Sequence, residues 1–185
     1  MTEELSIAFR PGVGADLKYI KNSWLESFRD GDGVRGVPNS FYYAYEQKIM
    51  KKTLPRCSNS GGVIIAHEHF PEDDFVATVE RPILGWICAE ALTTGLVVHF
   101  VYTRGFEQKG KKYGGAYRNR GIARSLLDEV QRKQGCEGMP IFYTHRTEVC
   151  WRTPKARELH KDLNATYVPY YKYSLLPTDW QGTDG

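Results

Sequence analysis

The sequence predicts an α+β (mixed α/β) fold built on a mixed sheet. Three observations carry this. Short β-branched runs alternate with stretches of helical period, in the order β-α-α-β-β-β-α-β-α-β. The 185 residues are 41% apolar and 25% charged, which suits one ordinary globular domain with a full core. Residues 96–127 pass from an apolar β-type run, through a Gly- and Lys-rich loop, into an amphipathic helix.

The elements follow in order. Residues 5–10, LSIAFR, alternate as a first strand, and Pro11-Gly12-Val13-Gly14 turns the chain. Leu17, Ile20, Trp24, Leu25 and Phe28 recur at helix spacing, with Asp16 as a cap or first-turn acid. Gly31-Asp32-Gly33 stops that helix. A second helix covers 41–54, with Tyr42, Tyr45, Ile49 and Met50 inward and Pro55 ending it. Strands follow at 63–69, 83–90 and 96–103. A third helix spans 123–133 and a strand 141–144. A helix at 153–163 has Pro154 in its first turn, and a tyrosine-rich strand or hairpin covers 165–175. Residues 1–176 read as a single domain and 177–185 as a polar tail.

Composition narrows the function classes. No apolar run reaches the length of a membrane helix. The opening MTEELSIAFRPG is acidic and lacks an apolar signal core, so a cytoplasmic protein is expected. Cys57, Cys88, Cys136 and Cys150 lack CxxC pairing and read as reduced thiols. His67-x-His69 puts two imidazoles on one strand face, but sequence places no third ligand, so no metal is expected. A net charge of +3 is too small to mark the whole chain as a nucleic-acid binder.

Residues 118–123 carry the chemistry. Strand, polar turn and helix N-terminus form an anion-binding device, because the first N–H groups of a helix lack intrahelical acceptors and face the positive end of its dipole. Gly121 permits close backbone approach, Ala123 keeps the next turn slim, and Arg118, Arg120 and Arg124 add charge. Arg118-Asn119-Arg120-Gly121-Ile122-Ala123 resembles the Arg/Gln-x-x-Gly-x-Gly/Ala signature of the GCN5-related N-acetyltransferases (GNAT). The element order is also similar to that family's, so the resemblance covers the chain from Ile7 to about Tyr173. It implies a twisted sheet of about six or seven strands with helices on both faces, and transfer of an acetyl group from acetyl-CoA to an amine acceptor. The resemblance further implies that the turn binds pyrophosphate and that the backbone of Phe100, Val101 and Tyr102 binds pantetheine.

The family's base maps onto His99, whose ordinary pKa of about 6.5 suits the task. A buried, hydrogen-bonded histidine is the equal alternative, and Glu90 is a second candidate base. Residues 153–165 are similar to the family's Asn-x-x-Ala-x-x-Leu-Tyr-x-Lys-x-Gly-Phe segment. Ala156 and Leu159 match it, Thr153 stands at the asparagine, and His160 stands at the tyrosine that serves as acid. Tyr143, Tyr167 and Tyr170 are further acids. Asn164 replaces the glycine and tolerates a left-handed cap. Trp24, Phe28, Phe41, Tyr42, Tyr43 and Tyr45 read mostly as core, with one or two lining the acceptor site. No nucleophile motif appears, so direct transfer in a ternary complex is expected.

The insert at 105–116, with Lys109, Lys111 and Lys112, departs from the family pattern and reads as a solvated loop. Two other readings stand beside the enzyme. One is a GNAT-shaped binding module, since the chain also resembles GNAT-type proteins of tailed phages through residues 16–28, 42–54 and 98–102. The other is a nucleic-acid binder using the basic loop. Monomer and homodimer are both open.

Overall fold

The computed structural model describes residues 6–30, 34, 36–69, 82–104, 121–146 and 154–169. Strands β1 (Ile7–Pro11), β2 (Val63–Glu68), β3 (Ile83–Leu92), β4 (Gly95–Thr103), β5 (Ile141–Tyr143) and β6 (Ala165–Tyr167) form one six-stranded sheet in chain order. β1 to β4 pair antiparallel, and β5 and β6 join in parallel. The helices are α1 (Leu17–Asp30), α2 (Asn39–Asn59), α3 (Ile122–Gln134) and α4 (Pro154–Asp162), and a 3₁₀ turn at Gly14–Asp16 leads into α1. The mixed α+β arrangement is the one the sequence predicts.

Strand alternation divides the core in two. Ile64, Ala66, Leu84 and Ile87 face α3, where Ile122, Leu126, Leu127 and Val130 meet them. Val63, Ile65, Trp86 and Cys88 face α1 and α2. There the Trp24 ring stacks on Phe100 at 4.9 Å and on Trp86 at 5.8 Å. Both indoles are polar-satisfied: Trp86 Nε1 donates to Ser23 Oγ at 2.9 Å and Trp24 Nε1 to Glu46 Oε1 at 3.0 Å.

Pro55 corrects one expectation. It does not end α2, which runs on to Asn59. The turn beyond it carries Cys57, which is fully buried beside Leu54. That burial outweighs the helix-breaking tendency of an exposed proline. Asn164 meets its expectation: its φ of 48° is the left-handed cap that follows α4. Of the expected terminal strand, 165–167 is present, and 170–175 lies outside the described residues.

At the edge, Arg10 donates twice to the Asp16 carboxylate, at 2.6 and 2.8 Å, and Val13 N–H donates to Asp16 Oδ2 at 2.9 Å. Asp16 therefore closes the turn before α1. The Arg10 hydrogen bonds hold its carboxyl below the ordinary 3.8, against an opposing push from burial. Stability from this pair is complete above 3.8 and is lost as pH falls through the lower folded value. Asp16→Asn should flatten the acid limb of the unfolding curve; an unchanged limb in circular dichroism would refute the linkage.

Candidate active site

Two features of β4 shape the site. First, Cys88 pairs with Phe100 and Ala89 with Val98, so His99 is an extra, bulged residue. Second, β5 pairs with β4 only at Leu96, Val97 and Val98, the last opposite Tyr143. Thr144 still donates N–H to Val98 O at 3.1 Å and its hydroxyl to His99 O at 3.3 Å. Phe100 to Thr103 continue past the last β5 pair. The β4–β5 ladder thus ends at Val98 and Tyr143.

The first turn of α3 lies over the outer end of β4. Ile122 is buried against β3 at Gly85, whose register partner is Thr103. A Cβ on Gly85 would sit 3.2 Å from Ile122 Cγ2 and 2.6 Å from Tyr102 O, so the helix rests close on the sheet. Gly121 is the N-cap, with φ 73° and no side-chain cap hydrogen bond. Among the described residues, a Cβ there would meet nothing within 4 Å. Ala123 is half-buried in the same turn. Arg124 Nε is held by Asp128 at 3.0 Å on the exposed side. Arg118, Asn119, Arg120, Thr153, Tyr170 and the 105–116 insert lie outside the described residues. Ala156 lies on α4. Phe100 is buried in the aromatic core, while Val101 and Tyr102 are half-buried.

Tyr143 and His160 come together, with ring centroids 4.8 Å apart, and Tyr167 is 5.2 Å from Tyr143. Burial, helped by the nearby Arg146 charge, lowers the His160 pKa, which favours a neutral imidazole.

His99 sits apart from that pair. It is 0% exposed, and its Nε2 meets Glu90 Oε1 at 2.8 Å. Arg56 donates to the same oxygen at 2.7 Å. Burial alone would lower the His99 pKa, but hydrogen bonds to Cys57 and Glu90 outweigh it and the pKa is raised. Glu90 is pushed up by burial yet held below the ordinary range by His99 and Arg56. The Cys57 thiol, hydrogen-bonded to Cys88 and to His99, is pulled down to about 6. Burial pushes Cys88 up.

Sequence reasoning missed a second buried pair. His145 Nε2 meets Glu46 Oε1 at 2.6 Å, and its Nδ1 meets Thr144 Oγ1 at 2.8 Å. The His145 ring packs edge-on against Trp24 and Phe28. The signal was present in α2: Glu46 falls in helical phase with Tyr42, Ile49, Met50 and Thr53, an acid on an inward stripe. His67 is buried, and His69 lies exposed beyond the strand end. Of the helical aromatics, Trp24, Phe28 and Tyr42 are core, and Phe41 is 73% exposed.

No family model matches the chain, and no curated protein matches it. Solved structures do. Over 86% of this chain and 90% of the other, it is similar to AAC(6')-Iy in complex with the bisubstrate analogue CoA-S-monomethyl-acetylneamine, at 12% identity and a TM-score of 0.43. A GCN5-related N-acetyltransferase from Ralstonia eutropha JMP134 is similar over 85% and 90% of the two chains, at 15% identity and a TM-score of 0.49. One from Sphaerobacter thermophilus is similar over 72% of this chain and 33% of its own, at 19% identity and a TM-score of 0.38. No described helix is long and apolar enough to cross a membrane.

Proposed function

We propose that the protein is an N-acyltransferase that moves the acetyl group of acetyl-CoA to an amine by direct transfer. The observation that carries this is the end of the β4–β5 ladder at Val98 and Tyr143, with the first turn of α3, opened by Gly121, over the outer end of β4. A strand edge beyond a ladder offers backbone groups to an extended amide-bearing chain such as pantetheine. Phe100, Val101 and Tyr102 are the residues assigned to it. The turn at 118–123 is assigned to the pyrophosphate, with Arg124, Thr153 and Ala156 alongside.

In the transfer, the amine nitrogen bonds to the thioester carbonyl carbon and the C–S bond breaks. The amine gives its proton to solvent water, and the departing thiolate takes one from the protein. Tyr143, at the end of the β4–β5 ladder, is assigned as proton donor to the thiolate. His160, neutral beside it, relays a solvent proton to the phenolate, accepting at one ring nitrogen as it gives from the other. His99 is not assigned as base: its ring is fully buried and Nε2 is engaged by Glu90, so it does not reach an acceptor.

Acetyl-CoA should raise the melting temperature, with a gain of about 2.7 kcal/mol at a hundredfold excess over Kd. His160→Ala should keep the shift and slow transfer in an amine screen. No shift at saturating acetyl-CoA would sink the proposal. The sealed position of His99 favours one second reading, a module that holds CoA without turnover. A full thermal shift with no product across the amine screen would select it.

A further inference from the structure

A second cluster lies on the α2 side of the sheet. One donor atom each from Cys57, Glu90 and His99 lie within 4.8 Å of one another, and all three residues are buried. Cys88, also fully buried, belongs to the same core cluster as Cys57. One thiol, an imidazole and a carboxylate thus converge from three elements, with a second thiol in the core beside them. We propose that Cys57, Cys88, Glu90 and His99 form a structural zinc site that clamps the end of α2 to β3 and β4.

The backbone builds this meeting point. Gly62 holds the end of α2 against β3: Ala89 N–H donates to Gly62 O at 2.9 Å, and a Cβ on Gly62 would lie 1.8 Å from Ala89 O. The bulge in β4 adds His99 out of register and brings its ring to Glu90. α2 continues through Pro55 for the turn that carries Cys57.

The chemistry selects the metal. Thiolate, imidazole and carboxylate are all zinc ligands, and two sulfurs disfavour magnesium and calcium. Tetrahedral donors on zinc lie roughly 3.3–3.8 Å from one another. The imidazole and carboxylate, now 2.8 Å apart, would open by about half an ångström around the ion. Two thiolates and a carboxylate around a divalent cation leave one net negative charge. Arg56, already on Glu90, offsets it. Four titratable groups in one pocket of an otherwise aromatic core carry a large desolvation penalty, which a bound cation relieves. The donors stand at 57, 88, 90 and 99, so no local motif announces them.

Elemental analysis of the full chain purified from zinc-supplemented culture should find about one equivalent of zinc per chain. After chelation, cobalt(II) should give a thiolate-to-cobalt charge-transfer band. Cys57→Ser should abolish that band and His99→Ala weaken it. Cys136→Ser, on the opposite face of the sheet, should leave it intact. The cobalt spectrum of the unmutated chain needs no variant to fold. Zinc well below one equivalent together with no charge-transfer band would overturn the site and leave a hydrogen-bonded Cys–His–Glu cluster. A band lost equally with Cys136→Ser would overturn the assignment of ligands.

Discussion

Gly121→Val is expected to abolish the thermal stabilisation given by acetyl-CoA while leaving the chain folded. Gly121 sits at φ 73° at the mouth of α3, and among the described residues no atom lies within 4 Å of a Cβ built there. Against the described residues the new side chain costs only backbone strain, about 1–2 kcal/mol for a residue forced left-handed. A ligand is affected far more. A branched side chain at the N-cap occupies the space over the first N–H groups, which is where a pyrophosphate would approach. The measurement is a paired melting curve, with and without saturating acetyl-CoA. A valine variant that melts slightly lower and keeps the full shift would mean that this helix terminus is not the cradle. Gly121→Ala, smaller but equally strained, separates strain from occlusion: it should retain more of the shift.

Glu46→Ala is expected to destabilise the protein by about 2–4 kcal/mol, because each buried polar group that loses its partner costs about 1–3 kcal/mol. Glu46 is 1% exposed and its Oε1 receives both the His145 ring and the Trp24 indole N–H. Truncation strips both of that partner within the aromatic core. Replacing both members together, Glu46→Leu with His145→Phe, should recover part of the loss, because the imidazole no longer needs an acceptor while the Trp24 indole N–H still loses Glu46. Urea unfolding of the single and double variants reads this directly. A single variant within about 1 kcal/mol of the unmutated chain would show that the pair contributes little.

The two clusters explain why part of the site was hidden in the sequence. His99 was visible because it falls inside a β-type run next to a recognisable turn. Its partners were not, since Glu90 lies on a neighbouring strand and Cys57 beyond a proline that reads as a helix end. The extra residue in β4 was equally illegible. A bulge reveals itself only when two strands are laid in register, and here Cys88 and Ala89 lie opposite Phe100 and Val98. His160 and Tyr143 were named separately from the sequence; their 4.8 Å approach depends on α4 folding back beside β5.

The sequence by itself determined the element order, the mixed α+β class, the left-handed cap at Asn164, and the strand and helix that flank residues 105–120. Each of these is written in local chemistry: a period of two or 3.6, a residue that tolerates positive φ, or a glycine before a helix. Tertiary structure alone decided that α2 runs through Pro55, that His99 is sealed against Glu90 and Cys57, and that Glu46 and His145 pair across 99 residues. Those outcomes turn on burial. A helix passes a proline when the next turn has an apolar face to fill, and a charge stays in a core when a partner from a distant element arrives beside it.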